Sequence, residues 1–470
     1  MIGRRFFLAA SASCVALPTR AIADALPSLP EVTLINSHHE QAAQFSTAFG
    51  HAHVKIPRVR ALCHTAQGVQ RVVRWARDTE QSFAIRSSGH SFANLSSHPD
   101  LVIDLRQMNQ TQIDRNAGTV TVGAGVLSHQ VSRHLADQEL SIPGGICPTV
   151  AMAGYALGGG IGYFARRDGL LSDQLKSLRM VTADGALIDV SEQANSDLFW
   201  ACRGGGNGNF GVVTDLTFAI QPFQQIHWVH LSLRLDAVRA AEALYLWQRR
   251  SRDWPRHTTL HFRLHRSKGT EFQATLEGLS GLPVTQLAAE VASVMRTSPD
   301  AVKGAIHVAV ASQLHDRIFP RETGTNIEIN RQSHLFDTPL DPASTLEVLS
   351  SVLELQQTVM HLSFESLGGA VADLAPDATA FPHRNAQFVL QANSFVPSPA
   401  LRHERRSAAR KLRDVLTPMA TGGVYVNYTD LELSDWGYRY WGANLPRLKA
   451  IKRTYDPDSV FDHAHSLNRA

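Results

Sequence analysis

Residues 144–162 read GGICPTVAMAGYALGGGIG, so seven of nineteen positions are glycine. A second glycine cluster, RGGGNGNFG, covers residues 203–211, and a smaller one lies at Ser88 and Gly89. Turns between short elements do not usually need so many glycines in one region. Glycine lets a backbone approach a ligand closely and point its N–H groups toward it, which suits a pyrophosphate. The pattern therefore predicts loops that surround a dinucleotide.

The second cluster contains a literal G-x-G-x-x-G at Gly206, Gly208 and Gly211. A dinucleotide-binding fold of the Rossmann type places this motif after a strand and before a helix. Here the order is reversed, because helix-like residues 198–201 precede the glycines and a strand-like run at 212–218 follows them. A phosphate-binding P-loop is excluded as well, since no Gly-Lys-Ser/Thr follows any of the clusters.

Short strands and helices are predicted to alternate from about residue 54 to residue 222. Apolar residues recur at helical spacing over 65–79, where Thr65 is placed as the N-cap. Asp184 and Gly185 predict the turn of a hairpin over 177–190. The other predicted elements are strands at 83–85, 101–105, 119–122 and 212–218 and a helix at 127–138.

Glycine becomes sparse after Pro222, and the predicted elements become longer. Residues 223–424 are expected to form a separate α+β domain on an antiparallel sheet. Residues 425–470 return to aromatic and glycine-rich sequence and include a helix at 446–454. The strands predicted in the middle region are 227–235, 258–266, 271–278 and 386–394, and its helices are 237–249, 284–295 and 400–416.

Residues 1–23 have the pattern of a signal peptide. Arg4 and Arg5 precede a short apolar run that ends near Ala21-Ile22-Ala23, a small-residue cleavage site. The paired arginines favour a twin-arginine export signal over an ordinary secretory one, which predicts a periplasmic or extracellular protein. Without this segment, which holds three of the 45 basic residues, 42 basic groups face 42 acidic ones. That balance does not favour nucleic-acid binding, and no later apolar run is long enough to span a membrane.

Three cysteines follow the predicted signal peptide. Cys63 and Cys202 lie in apolar surroundings and are predicted to be core residues rather than a disulfide, whereas Cys147 lies in a glycine and proline loop. The chain also has 22 histidines, but the clusters at 38–40 and 51–53 lack the spacing of zinc ligands. No metal site is predicted.

The segments RSSGHS at 86–91 and GICPTV at 145–150 resemble the berberine-bridge-enzyme-like oxidases of the vanillyl-alcohol-oxidase superfamily. The resemblance implies an α+β fold in which a two-part PCMH-type FAD-binding domain, formed by residues 54–222 and completed by 425–470, carries an inserted α+β substrate domain at 223–424, built on an antiparallel sheet. Further matching segments are 158–162, 197–200, 210–214, 425–428, 440–448 and 455–457.

In this family the cofactor is FAD, and the resemblance implies that it is bound covalently twice, to His90 through its 8α-methyl group and to Cys147 through C6. An imidazole nitrogen and a thiolate are side-chain nucleophiles suited to attack on an electron-poor ring. Ser88 replaces a usual glycine, as do Ala151 and Ala153, so a backbone with positive φ is not expected at these three positions. The other implied cofactor contacts are Arg86, Ser87, Ser88, Gly89, Ser91, Gly144, Thr149, Val150, Gly154, Gly159, Gly162, Val213, Asn427 and Asn444.

The resemblance makes Tyr425 the catalytic base that takes the substrate O–H proton, with Tyr428 as the second candidate. The other interpretation of Tyr425 is a strand tyrosine that packs against the flavin. Glu365 and Gln391 are predicted to contact substrate, because strand alternation can place both on one face.

The family implies an FAD-dependent oxidoreductase of small molecules. Val150 occupies the position associated with oxygen access, so the expected activity is an oxidase that uses O₂ to oxidise a carbohydrate, alcohol or secondary metabolite and releases hydrogen peroxide. The alternatives are a dehydrogenase with a different electron acceptor and a non-catalytic flavoprotein that sequesters a ligand.

Overall fold

The computed structural model describes residues 30–470 apart from 52–53, 55, 146, 207, 267–268, 310–326 and 356–358. The predicted signal peptide therefore lies outside the described residues. No helix among the described residues is both long enough and apolar enough to cross a bilayer.

The first sheet has four strands in the order β1-β2-β4-β3. Strands β2 and β3 run parallel to β4, and β1 is antiparallel to β2. The helix predicted at 65–79 is present, and its N-cap Thr65 accepts a hydrogen bond from Gly68 N at 3.2 Å. The elements are β1 (Val32–Asn36), α1 (Ala42–Phe45), β2 (Val59–Cys63), α2 (Ala66–Asp78), β3 (Phe83–Arg86) and β4 (Leu101–Asp104).

The second sheet is antiparallel, with five strands in the order β5-β6-β10-β8-β9. Its β8–β9 hairpin turns at Asp184 and Gly185 as predicted, and Gly185 has φ +78°. The elements are β5 (Thr111–Asp114), β6 (Thr119–Gly123), α3 (Ser128–Ala136), β7 (Leu140–Ser141), α4 (Met152–Leu157), α5 (Ala165–Asp168), β8 (Leu175–Val181), β9 (Leu187–Ser191), α6 (Ser196–Cys202), β10 (Val212–Ala219) and β11 (Gln221–Pro222).

The order α6, glycine cluster, β10 confirms that the G-x-G-x-x-G does not belong to a Rossmann unit. The predicted core positions of Cys63 and Cys202 are confirmed too, since both side chains are buried as free thiols. Burial raises the pKa of the Cys202 thiol to about 12.

The third sheet has seven antiparallel strands in the order β15-β12-β14-β13-β17-β18-β16. Helices α7, α8, α10 and α11 cover one face and share an apolar core with the strands. The elements are β12 (Ile226–Asp236), α7 (Ala237–Ser251), β13 (Thr258–Arg266), β14 (Glu271–Ser280), α8 (Val284–Met295), α9 (Pro299–Lys303), β15 (Ile306–Ala309), β16 (Glu328–Phe336), α10 (Pro342–Glu354), β17 (Met360–Ser366), β18 (Phe388–Val396) and α11 (Arg402–Leu416).

The predicted strands and helices of the middle region are present, but β15, β16, β17, α9 and α10 were not predicted. The polar face of this sheet, opposite its helices, becomes one wall of the cavity described below. After it the chain returns to the first two sheets through α12 (Trp436–Trp441) and α13 (Leu445–Tyr455), and Leu448 and Ile451 join the apolar core of those sheets. The architecture is the α+β arrangement that the sequence predicts, while the domain boundaries stay predictions.

Candidate active site

A cavity of about 610 Å³ lies between the glycine-rich loops and the polar face of the third sheet. Such a volume is in the range of small-molecule and cofactor sites. Three distant parts of the chain contribute to its wall, and most of the predicted site residues are among them. The predicted residues that line the cavity are Ser87, Ser88, Gly89, His90, Ser91, Cys147, Val150, Gly154, Val213, Glu365, Gln391, Tyr425, Asn427 and Tyr428.

The His90 imidazole is held between a phenyl ring and a hydroxyl group. It stacks on Phe49 with ring centroids 4.7 Å apart, and its Nε2 is 2.7 Å from Thr149 Oγ1. Burial, together with the positive charges of Arg331 and Arg86, lowers the pKa of His90 to about 3. The ring is therefore neutral near pH 7, and a neutral imidazole keeps the lone pair that a nucleophile needs.

Cys147 is half-buried, is not in a disulfide and lines the same cavity as His90. The two loops that carry these side chains are joined by a hydrogen bond from Ala151 N to Ser88 Oγ, at 3.0 Å. The serine that replaces the usual glycine therefore connects the two loops. Ala151 has φ −75° and Ala153 lies within α4, so neither alanine needs a positive φ.

Arg86 supports the first of these loops and is absent from the cavity lining, so its predicted cofactor contact stays a prediction. Its side chain is buried, and Nη2 donates to the carbonyl of Thr47 and to Ser88 O at 3.2 Å. Gly89 has φ +94°, and a Cβ there would overlap the Arg86 guanidinium. Glycine is required at 89 for both reasons.

Three predicted glycine contacts, at Gly144, Gly159 and Gly162, are also absent from the cavity lining. A Cβ on Gly162 would overlap Gly144 O, so that pair allows two backbone segments to pack closely. Asn444 is absent from the lining as well, because its Nδ2 donates to Pro376 O and Thr379 O at 2.8 and 3.1 Å. Thr149 is not in the lining either, and its Oγ1 contacts the His90 ring, which is.

The Tyr425 hydroxyl oxygen accepts hydrogen bonds from three N–H groups. Gly160 N and Ile161 N lie at 2.8 and 3.3 Å, and Asn427 Nδ2 lies at 2.8 Å. Burial raises the pKa of Tyr425, and the three donors oppose that shift. Donors that converge on one oxygen stabilise negative charge on it, as in an oxyanion hole. Burial outweighs the donors, so the pKa of Tyr425 stays above its ordinary value, and the three donors limit the cost of forming its phenolate.

Glu365 is a second ionisable group in the cavity. The Tyr428 hydroxyl lies 3.0 Å from each oxygen of its carboxylate. Burial raises the pKa of Glu365 to about 7, although Arg263 and the Tyr428 hydroxyl favour its ionised form. A carboxyl group that titrates near neutral pH can accept or donate a proton under working conditions.

Arg263 on β13 is paired deep in the third sheet. Its Nη2 lies 2.8 Å from Glu277, which also accepts from the Tyr163 hydroxyl at 2.6 Å and contacts His230 at 3.0 Å. Burial alone would raise the pKa of Glu277, but the His230 hydrogen bond and the charge of Arg263 lower it to about 2. Arg263 thus has a permanent counter-ion.

The comparisons with known proteins agree with this geometry. Residues 57–191 match the family model described as "FAD binding domain", and residues 424–468 match the one described as "Berberine and berberine like". The FAD-linked oxidoreductase YgaK of Bacillus subtilis (strain 168) is 30% identical over 437 residues, which cover 88% of this chain and 91% of that protein. The chain belongs to the berberine-bridge-enzyme-like FAD-linked oxidoreductases.

This FAD-linked oxidoreductase has other relatives along most of its length. Chitooligosaccharide oxidase of Gibberella zeae is 26% identical over 449 residues, which cover 87% of each chain. The solved structure of berberine bridge enzyme from Eschscholzia californica superposes with a TM-score of 0.84 at 21% identity and covers 93% of this chain and 96% of that one. The structural likeness confirms the predicted fold class.

The residues around the cavity fit FAD. Beneath the 86–91 loop, one buried carboxylate, Asp104, faces three guanidinium groups, those of Arg60 at 2.7 Å, Arg106 at 2.9 Å and Arg86 at 4.0 Å. Three cations around one anion leave an excess of positive charge, which favours the binding of a diphosphate. The apolar side chains of Ile85 and Leu105 line the same cavity and can contact a planar ring.

Several residues of the cavity were not predicted. Asn393 could have been found, because it lies two positions after Gln391 on the same strand and so on the same face. Arg331 and His361 could not, since β16 and β17 were themselves missed. The polar residues of the lining that were not predicted are Ser96, Tyr155, Arg263, Arg331, His361, Ser363, Asn393, Thr429, Asp462 and His463.

The substitution Glu365→Gln is expected to change how stability depends on pH. The pKa of Glu365 is about 7 in the folded protein, compared with about 4.3 in an unfolded chain. The folded state therefore holds an extra proton between these values, and the wild type loses stability as pH rises through this window. Glutamine does not titrate, so the free energy of unfolding of the variant relative to wild type should rise by about 3 kcal/mol between pH 4 and pH 8.

Urea unfolding of the holoenzyme across this pH range measures the difference. The control is Glu347→Gln, which removes an exposed carboxylate from α10 and should leave a constant offset. If the difference in free energy of unfolding between Glu365→Gln and wild type were also independent of pH, the raised pKa of Glu365 would be contradicted.

Proposed function

We propose that this protein is an exported oxidase that binds FAD covalently through His90 and Cys147 and oxidises a small molecule with O₂, releasing hydrogen peroxide. The observation that carries the proposal is that a neutral imidazole, a cysteine that is not in a disulfide and the three-donor site around Tyr425 all line one cavity. FAD, when bound, accepts a hydride from a substrate carbon and passes the electrons to an acceptor.

The two attachment residues support a doubly tethered cofactor. His90 is neutral, and its ring is held in one orientation by stacking on Phe49 and by the hydrogen bond between Nε2 and the Thr149 hydroxyl. Cys147 lies in the loop that Ser88 joins to the His90 loop. Both nucleophiles are thus held before the cofactor binds.

Tyr425 is the proposed base. Its phenol oxygen is surrounded by Gly160 N, Ile161 N and Asn427 Nδ2, which would stabilise the phenolate that remains once the phenol proton has left to solvent. That phenolate then accepts the proton of the substrate hydroxyl as the substrate carbon is oxidised. Glu365, bonded to Tyr428, is the second candidate because its pKa of about 7 allows it to act near neutral pH.

The polar face of the third sheet supports a hydroxylated substrate. Ser333, Gln391 and Ser363 lie side by side on β16, β18 and β17, and the last two line the cavity. Amide and hydroxyl side chains donate and accept hydrogen bonds from alcohol groups. The chitooligosaccharide oxidase relative, 26% identical, supports a carbohydrate or related alcohol as the substrate class.

Purified protein precipitated in trichloroacetic acid is expected to stay yellow, because covalent bonds survive denaturation. His90→Ala and Cys147→Ala each leave one tether and should keep the colour, whereas the double variant should lose it. A panel of sugars, alcohols and phenolics is then screened for anaerobic bleaching of the flavin, followed by oxygen uptake and a peroxidase assay for peroxide.

Colourless wild-type precipitate and unmodified masses for the two peptides would contradict covalent attachment. Bleaching without oxygen uptake would instead indicate a dehydrogenase. Spectral shifts without bleaching would indicate a protein that sequesters its ligand.

The two candidate bases can be separated with a pair of hydroxyl deletions. Tyr425→Phe should lower the rate of anaerobic flavin reduction by about 100-fold or more, because a general base contributes about 10²–10⁴. Tyr428→Phe leaves both Tyr425 and Glu365 in place and should lower the rate less than about 10-fold. Stopped-flow absorbance measures both rates, and the reverse order would assign the base to the Tyr428–Glu365 pair.

Val150→Leu tests the proposed acceptor. Val150 lines the cavity next to the Cys147 loop, and a longer side chain there should restrict access of O₂ to the flavin. We expect slower reoxidation by O₂, by about 10-fold or more, on the assumption that loss of access costs at least about 1.4 kcal/mol. Anaerobic reduction should be unchanged; equal slowing of both half-reactions would refute the role of Val150 in oxygen access.

A further inference from the structure

Arg331 on β16 is a buried cation, and the two terminal nitrogens of its guanidinium have no hydrogen-bond partner among the described residues. Its Cζ lies 4.1 Å from the centre of the Phe92 ring and 5.1 Å from that of Phe49, so the guanidinium is held between two phenyl rings. Nη1 and Nη2 are both buried, and within the described part of the chain neither has a hydrogen-bond acceptor. The side chain lines the cavity.

The other two arginines that come close to the cavity have carboxylates nearby. Arg263 lies 2.8 Å from Glu277, and Arg86 lies 4.0 Å from Asp104. Arg331 forms no salt bridge with a described residue, and burial lowers its pKa to about 10, which still leaves it charged at neutral pH. A buried charge without a partner is costly, so a residue of this kind is expected to pair with something that the chain itself does not supply.

Asn393 lies beside Arg331 on the neighbouring strand β18, where the two residues are register partners. It also lines the cavity, and its Oδ1 is buried without a hydrogen-bond partner among the described residues. Two guanidinium nitrogens and one amide oxygen, all buried and without a partner among the described residues, therefore belong to adjacent residues of the cavity wall. A carboxylate accepts two parallel hydrogen bonds from a guanidinium, and a hydroxyl beside it can donate to an amide oxygen.

We propose that Arg331 and Asn393 form a subsite for the carboxylate and adjacent hydroxyl of a hydroxy acid. This inference rests on the proposed function, because the hydroxy acid is the substrate that the oxidase would turn over, as in sugar acids or hydroxylated aromatic acids. Phe49 and Phe92 fix the plane of the guanidinium, so a carboxylate is recognised by shape as well as by charge. The unpaired Arg331 selects acids over neutral alcohols.

The test measures binding to the holoenzyme by difference absorbance of its flavin. The probes are D-glucuronate, D-gluconate and mandelate, each compared with its neutral primary amide. In the wild type, at least one acid should bind 10-fold or more tightly than its amide. In Arg331→Gln the preference should fall to less than 2-fold, while Arg331→Lys should keep part of it because it keeps the charge but loses the forked donors. Arg234→Gln, an exposed position on β12 of the same sheet, should bind like the wild type.

Asn393→Ala tests the hydroxyl half of the subsite. Mandelate should bind more tightly than phenylacetate, which lacks the hydroxyl, and the variant should reduce this ratio at least 3-fold. The proposal is overturned if no acid is preferred to its amide, if Arg331→Gln retains the preference, or if Arg331→Gln and Arg331→Lys both fail to retain flavin, which would place the guanidinium on the cofactor. Binding is measured without turnover, so an acid that binds through Arg331 but causes no oxygen uptake would overturn the oxidase assignment alone.

Discussion

The contact between residues 158–161 and residues 425–427 holds the site together. Tyr425 accepts hydrogen bonds from Gly160 N and Ile161 N, which lie 265 and 264 positions earlier in the chain. A side chain at position 158 would displace the Asn427 amide, because a Cβ on Gly158 would overlap it. The whole third sheet lies between these two segments in the sequence. The contact therefore fixes where the chain returns after it has formed that sheet. The polar face of the inserted sheet is thereby placed opposite the glycine-rich loops.

The charges around the cavity are arranged so that most ionisable groups stay neutral or paired. His90 is neutral because of burial and nearby arginines, and Glu365 titrates near neutral pH because of burial. Glu277 stays ionised and compensates Arg263. Arg331 is the exception among the described cavity residues, and its charge remains available to a ligand.

Much of the fold could be predicted from sequence, because long apolar periodicities and turn residues act locally. The helix at Val284–Met295 coincides with the predicted range 284–295. Strand β16 was missed because its sequence buries polar side chains on both faces. Gln332 bonds to Ala409 O at 3.0 Å beneath the sheet, while Arg331 faces the cavity, so no apolar alternation marks the strand.

Sequence motifs predicted many of the residues that line the cavity, but they did not distinguish these residues from those that only stabilise the surrounding loops. The family resemblance predicted His90, Cys147 and Tyr425 as site residues, but it did not show which of the matching residues contact the ligand. Asn444 belongs to a matching segment, yet its amide is used by the carbonyls of Pro376 and Thr379. Contacts of that kind depend on how distant loops pack, which local sequence does not record.

The three described cysteines have one more consequence, for chemical durability. Cys63 and Cys202 are buried, and burial raises the pKa of both thiols, so almost no thiolate forms at neutral pH. Oxidants attack thiolates far more readily than thiols. With Cys147 bound in a thioether, as proposed, the described chain would offer no cysteine thiolate to peroxide or to disulfide exchange. An oxidase of this kind would release hydrogen peroxide in an oxidising compartment without being inactivated by oxidation of its own cysteines.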